Sequence, residues 1–363
     1  MALVVEPSRV TLYLNGKPAV DPSARGAEAF DAPLVLGVDP NGSGRNFNGL
    51  IDEVCVYQRA LSQAEIREQM HLVRLDPGDA SLRAYYQFNE PPTGDLVFDR
   101  AGTGHLGLNG AAGRAISTAA VGPGASACRT VSAAGNYYFG KETGLEFTTA
   151  QTGVLPQGEV CATRINLPPD ARPDADPLSR CYWVVHNYGA NASFAPLKEL
   201  RCYRIGRTPA TTTADAYRLW SRPVQAEGNT WVFEDTGDRR KHGPDGSVFF
   251  SDGLQWTEFG QMVLSKPVPE ENTAPAGRTP EAAAVAGDCR VYPNPVAAGG
   301  ELLVQAGGDT PVVFRLFDAS GHAIRIEQGN GEMRFRLTGT PPGVYSYGVE
   351  GARMMHFGRL VVY

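Results

Sequence analysis

The chain lacks most of the features that announce a chemistry. No run of eighteen or more apolar residues occurs, which excludes a membrane-spanning helix. The six cysteines (Cys55, Cys128, Cys161, Cys181, Cys202 and Cys289) include no CxxC pair, so zinc-ribbon and thioredoxin-like chemistry has no carrier. The six histidines are scattered without an HExxH or HxH pair, so no metal centre is indicated by them. His186 lies in a strand-like run with no serine, cysteine or aspartate arranged nearby as a triad. An excess of cations is also missing. With 33 Lys and Arg against 39 Asp and Glu the net charge is −6, which gives nucleic acid no electrostatic footprint. A polyanionic membrane surface is disfavoured for the same reason. The opening MALVVEPSRVTLYLNG has no basic region and its apolar run stops at Glu6, so it does not read as a signal peptide.

What the chain does have is length, glycine and proline. Its 363 residues include 42 Gly and 27 Pro, with 42% hydrophobic and only 20% charged residues. That is the composition of many short strands joined by turns, with enough apolar material for several cores. We expect an all-β, multidomain protein: a partial jelly-roll sandwich, a central β-sandwich and a small C-terminal antiparallel β-sandwich.

In the first segment, residues 1–75, RVTLYLNGKPAV alternates Val10, Leu12 and Leu14 with Thr11 and Tyr13, and Asn15-Gly16 signals a hairpin turn. PLVLG and GLIDEVCVY read as further strands. The second places Leu50, Asp52, Val54 and Val56 on one face and Ile51, Glu53, Cys55 and Tyr57 on the other. Ser62 with Glu65 forms a capping box, and Ile66, Met70 and Val73 form a helical stripe. Asp52 and Glu53 are adjacent strand residues that point to opposite faces. They cannot act as an acid/base pair, and hydrogen bonds holding the following turn are their expected role. In the loop DPNGSGRN, which lacks a GK[ST] phosphate signature, Asp39 and Asn41 are the oxygens a calcium ion would use, with a plain turn as the alternative.

These residues resemble the C-terminal half of a laminin-G-like, concanavalin A-like jelly roll. The family's G-x-IDEV-x-x-Y-x-RALS-x-x-EI block is matched at Gly49, Ile51, Asp52, Glu53, Val54, Tyr57, Arg59, Ala60, Leu61, Ser62, Glu65 and Ile66. Cys55 departs from the long polar residue common there. The resemblance implies glycan or matrix binding, often with calcium. A whole domain of this kind has two full sheets, so the resemblance also implies a longer parent chain upstream of Met1.

Residues 76–121 keep a laminin-G-like flavour in a YYxFNE…DxxGxxxxxLNG run carried by Tyr86, Phe88, Asn89, Glu90, Asp99, Gly102, Leu108, Asn109 and Gly110. They read as connecting strands. Residues 122–266 are short strands at regular spacing, expected to form a β-sandwich to which the sequence attaches no activity. The charge run DRRKHGPDG reads as a solvated hairpin loop. The four tryptophans either fill cores or stack on sugars, and the core is the commoner role. Disulfide pairing, if any, is expected among Cys161, Cys181 and Cys202, which cluster in this region. Residues 267–288 mix proline, alanine and charges of both signs without a strand pattern, and read as an exposed, flexible, protease-sensitive linker.

Residues 289–363 resume as strands, with MRFRL alternating Met333, Phe335 and Leu337 against Arg334 and Arg336. Four motifs follow in order: YPNP (Tyr292, Pro293, Asn294, Pro295), a DASG turn (Asp318 to Gly321), PPGVYSY (with Gly343 and Tyr345) and GRLVVY from Gly358. Together they resemble the type A C-terminal sorting domain of the type IX secretion system of Bacteroidetes, with Arg359 where lysine is usual. The resemblance implies recognition by outer-membrane export machinery and cleavage by a sortase-like protease. The product is secreted or held at the outer-membrane surface, and a leader upstream of Met1 is then expected. The expectation is a non-catalytic surface or secreted protein whose partners are that machinery and a glycan or matrix ligand. Ligand-binding residues are not readable, and calcium is the one cofactor in view. An accessory region of a larger exported hydrolase, and a structural surface protein without ligand, are the alternatives.

Overall fold

A computed structural model describes residues 1–19, 34–39, 45–73, 79–89, 95–110, 112–115, 117–173, 178–203, 217–238, 247–251, 254–266, 290–306, 311–317, 323–351 and 354–363. Among the described residues the fold is all-β apart from one short helix, as the composition implies. The chain forms two compact units, one of Met1–Met70 with Asp76–Thr118 and one of His71–Leu75 with Ala119–Tyr363.

In the first unit, β1 (Ala2–Glu6), β2 (Arg9–Leu14) and β3 (Lys17–Pro18) form one antiparallel sheet. The Asn15-Gly16 turn between β2 and β3 has φ of 49° and 72°, the left-handed pair that a tight hairpin needs. β4 (Val54–Tyr57) pairs with β5 (Leu82–Tyr86), and β6 (Leu96–Val97) with β7 (Leu106–Gly107). The strand expected over GLIDEVCVY is shorter than its alternation suggests. Glu53 has φ of 51°, a turn conformation that no strand continues through, so pairing starts only at Val54. The helix α1 (Gln63–Gln69) is also shorter than the stripe, since Val73 lies beyond its end. Ile66 packs with Val4 and Tyr13 in one small cluster. Ala84, Tyr86 and Val97 form another.

In the second unit, two sheets face each other across a large core. The six-stranded sheet runs β15 (Val232–Thr236), β14 (Arg218–Arg222), β17 (Gln261–Ser265), β12 (Leu178–Asn187), β11 (Gly158–Ile165) and β8 (Gly124–Val131). The four-stranded sheet runs β16 (Val248–Phe250), β13 (Glu199–Cys202), β10 (Leu145–Thr148) and β9 (Asn136–Tyr138). Inward residues of both, among them Trp183, Val185, Phe147, Leu200 and Phe250, are fully buried together, which makes this a sandwich. A second cluster, including Tyr182, Val184, Val263 and Trp231, covers the other face of the larger sheet.

The C-terminal strands form a separate small sandwich. β18 (Arg290–Tyr292), β19 (Glu301–Gln305) and β22 (Glu332–Arg336) make one sheet. β21 (Ala323–Asn330), β20 (Pro311–Phe317), β23 (Gly343–Gly351) and β24 (Met354–Val362) make the other. Val304, Met333, Phe314, Val349 and Leu360 share its core. The segment 267–288, read as a linker, lies outside the described residues.

Candidate functional site

In the first unit, the residues of the IDEV and RALS block are used to build the turn and the helix. Ser62 Oγ accepts from the Glu65 N–H at 3.3 Å, and the Glu65 carboxylate accepts from the Ser62 N–H at 2.8 Å, completing the capping box. Arg59 pairs with Glu65 at 2.7 Å and with Asp79 at 3.5 Å, and donates to Ser81 Oγ at 3.1 Å. The Arg59 hydrogen bond, helped by the Ser62 N–H, holds the Glu65 carboxyl down to about 2. Gln63 and Arg67 on the helix donate to the Gly16 carbonyl at 3.1 and 2.9 Å, clamping the hairpin turn. Asp52 accepts from the Glu53 N–H at 3.0 Å, and Glu53 accepts from the Tyr85 hydroxyl. Asp52 thus bonds the turn, as expected, whereas Glu53 reaches across to β5.

Asp99, from the YYxFNE…DxxG run, is buried and accepts from the backbone of Tyr85 and Ala101 at 3.0 Å each and of Gly104 at 3.3 Å. A Cβ on Gly102 would lie 2.8 Å from the Asp99 carboxylate, so a side chain there would have to displace it. Of the two expected calcium ligands, Asp39 is bound by Arg45 at 3.0 Å, and Asn41 lies outside the described residues.

The second unit holds a polar and aromatic constellation on the outward face of its four-stranded sheet. Tyr138, Glu146, Arg201 and Phe249 are direct cross-strand neighbours on β9, β10, β13 and β16. The Arg201 guanidinium lies 4.0 Å from the Tyr203 ring centre and 4.5 Å from that of Phe249, and 3.9 Å from Glu146. Glu146 also accepts from Asn136 Nδ2 at 2.5 Å and from the Tyr203 hydroxyl. Burial, then the Glu146 carboxylate, pushes the Tyr203 hydroxyl well above the usual tyrosine range, so it stays a donor. The row offers stacking surface and hydrogen bonds, with no nucleophile among its members.

The larger sheet corrects the disulfide expectation. Cys161 is bonded to Cys128, while Cys181 and Cys202 are not in disulfides. Cys128 and Cys161 are register partners on β8 and β11, whereas Cys181 and Cys202 stand on different sheets within the core. Burial pushes the Cys202 thiol far up, so it is a poor nucleophile. Glu159 brings a carboxylate within 4.8 Å of both bridged sulfurs, but a disulfide is not a thiolate ligand pair. Two groupings were not legible in the sequence. Arg222 is buried against Asp170, Gln261 and the Trp231 ring, and His71 meets His186.

In the C-terminal sandwich, the YPNP segment is knit to the last strand. Asn294 Oδ1 accepts from the Val361 N–H at 2.9 Å, and Val296 bridges Val362 in parallel, with the Tyr363 N–H donating to the Val296 carbonyl at 3.0 Å. Pro293 and Pro295 each follow a cis peptide bond, and Tyr292 ends β18 with its side chain exposed. Gly343 and Gly358 stand on β23 and β24, opposite Val362 and Tyr347. Tyr345 is buried, and its hydroxyl donates to the Pro341 carbonyl at 2.8 Å. Asp318 and Gly321 lie outside the described residues. Three of the four motifs therefore meet along the paired β23 and β24.

Among known families, a description of the concanavalin A-like lectin/glucanases superfamily, of laminin-G type, matches residues 1–67. The matched stretch holds the hairpin, the IDEV turn and the capped helix, and it is similar to that superfamily over a minority of the chain. No curated protein matches the chain. No helix among the described residues is long and apolar enough to cross a membrane.

Proposed function

We propose that this is an exported, non-catalytic glycan- or matrix-binding protein whose C-terminal sandwich is its export address. The observation that carries the binding half is the superfamily match over residues 1–67. That superfamily's name covers glucanases as well as lectins. The internal use of Asp52 and Glu53, one by the turn and one by Tyr85, favours binding over hydrolysis. Supporting the export half is the order of the YPNP, DASG, PPGVYSY and GRLVVY motifs. The meeting of three of them at one sheet edge agrees with that reading. On this reading the partners are type IX outer-membrane machinery and a sortase-like protease, and the product is released or held at the outer surface.

Glycan-array binding of the full chain, with and without calcium, tests the first half, and binding to no glycan in either condition overturns it. For the second half, residues 289–363 are fused to a periplasmically targeted reporter in a type IX-competent host. The reporter should reach the surface or the medium, and retention in the periplasm overturns the address. Calcium dependence, if present, should track Asp39.

A further inference from the structure

His71 and His186 are 115 positions apart in sequence, yet their Nε2 atoms lie 2.7 Å apart in a buried contact. The two rings also stack, with centroids 4.9 Å apart. The Nδ1 of His71 is 2.7 Å from the Ala120 carbonyl, which can only accept. His71 therefore carries its proton on Nδ1 and presents a lone pair at Nε2, and the His186 Nε2–H must donate to it. This contact pins a short segment to the sandwich. The Val73 N–H donates to the Gly122 carbonyl at 3.0 Å, the Gly122 N–H to the His71 carbonyl at 3.1 Å, and Leu72 bridges Gly122 in parallel.

We infer that the His71–His186 contact is an acid-sensitive latch holding the segment 71–73 on the central sandwich. A single added proton is shared between the two Nε2 atoms, whichever ring holds it, and keeps the bond but leaves a charge in a buried site. A proton on each ring places N–H against N–H at 2.7 Å, so the bond between the rings cannot survive the second. Burial pushes the His71 ring down, outweighing the Ala120 carbonyl, which raises it. A histidine held below its ordinary pKa contributes stability above about pH 6.5, and that contribution is lost as pH falls.

The groups around the pair come from β11, from the chain beside β12 and from the 119–122 segment. Across β11, Cys161 is the register partner of His186 and sits in the non-titrating bridge to Cys128 on β8. Glu159, two residues from Cys161, is an acid on that face, and just beyond β12 the Tyr188 ring stacks on His186 at 5.4 Å. The 119–122 segment carries no titratable side chain, and ahead of β17 Glu258 accepts from Ser193 Oγ at 2.5 Å.

Hydrogen exchange of the full chain, corrected for intrinsic rates, tests the latch between pH 7.5 and 5.5. Protection of the Val73 and Gly122 amides should fall about tenfold per pH unit below 6.5 if opening takes up one proton, and about a hundredfold if two. Amides of the paired β11 and β12 should hold. The H71Q/H186Q variant should show no such slope. Flat protection in the parent chain, or an equal slope in the variant, overturns the inference. If the variant does not fold, NMR titration of the two parent rings decides it. Both rings titrating at or above the ordinary 6.5 overturns the latch, and depressed values support it. This outcome is independent of glycan binding and of export.

Discussion

The central sandwich buries both faces of its larger sheet, whereas the first sheet of the N-terminal unit buries one face and leaves the other open. In the sandwich, Trp183, Val185 and Phe250 close one core between two sheets, and Tyr182, Val184 and Trp231 close a second behind it. In the N-terminal unit, β1 and β2 bury Val4, Thr11 and Tyr13 towards the helix. Their other face presents Leu3, Val5 and Leu14, all exposed. A strand pattern thus fixes which residues share a face, but a face becomes a core only where a second layer meets it. The stability of the sandwich rests on packing, while that of the hairpin and helix rests on local devices such as the Asn15-Gly16 turn and the Ser62 cap. Substitutions should separate the two regimes.

The largest effect is expected at Trp183. It is fully buried, and its Nε1–H donates to the Thr143 carbonyl at 2.7 Å. Trp183→Ala removes the largest core side chain and orphans that carbonyl, at a cost of about 4 kcal/mol in urea unfolding of the sandwich. The second-largest effect is at Arg222, whose guanidinium is buried against Asp170, Gln261, the Gly228 carbonyl and the Trp231 ring. Arg222→Ala strands the Asp170 carboxylate and should cost about 3 kcal/mol. Burial alone would raise Asp170, but the Arg222 hydrogen bond, the Gly228 N–H and the Arg222 charge together hold it below the usual range. The contribution of this pair is therefore present at neutral pH and is lost as pH falls through the depressed carboxyl value. The acid-unfolding midpoint should shift upward in Arg222→Ala, and an unchanged midpoint would count against this account.

What the sequence made legible follows the same division. Ser62 and Glu65 are three residues apart, and Asn15 and Gly16 adjacent, so local physics identifies both. The strands of the sandwich were legible from alternation, and β11 falls on GEVCATRI as read. The partners of Cys161, Arg222 and His71 were not, because they lie 33, 52 and 115 positions away and meet only through strand register and layering. The clustering of Cys161, Cys181 and Cys202 in sequence pointed to the wrong partner for the same reason. The strand reading failed at Leu50 to Glu53 because alternation does not report a positive φ, which Glu53 adopts. The polar and aromatic row on the four-stranded sheet was illegible for a different reason. Tyr138, Glu146, Arg201 and Phe249 become one row only after four strands are ordered β16-β13-β10-β9.

A smaller effect is expected at the cap. Ser62→Ala removes the acceptor for the Glu65 N–H and should cost the N-terminal unit about 1 kcal/mol. Glu65 is held down to about 2, so its support is present above about pH 4.5 and fades towards pH 2. Its exposure and the salt sensitivity of such pairs keep that support small. Thermal melts of the N-terminal unit at pH 7 should show the Ser62→Ala loss, with the sandwich transition unmoved.

The smallest effect on stability, and the sharpest on the comparison, is expected on the open face. Leu3 and Val5 are 63% and 42% exposed, so changing both to threonine removes little buried area and keeps good strand formers. Unfolding free energy should move by no more than about 0.5 kcal/mol. Binding of a hydrophobic dye to the full chain, and any self-association seen by sedimentation, should fall, because exposed apolar faces of this kind are what such probes and copies adhere to. The same pair of changes made inward, at Val184 and Val263 of the covered sheet, should instead cost several kcal/mol, since both are fully buried. If L3T/V5T proved as destabilising as V184T/V263T, the face would have to be covered in solution, and the contrast between the two regions would vanish.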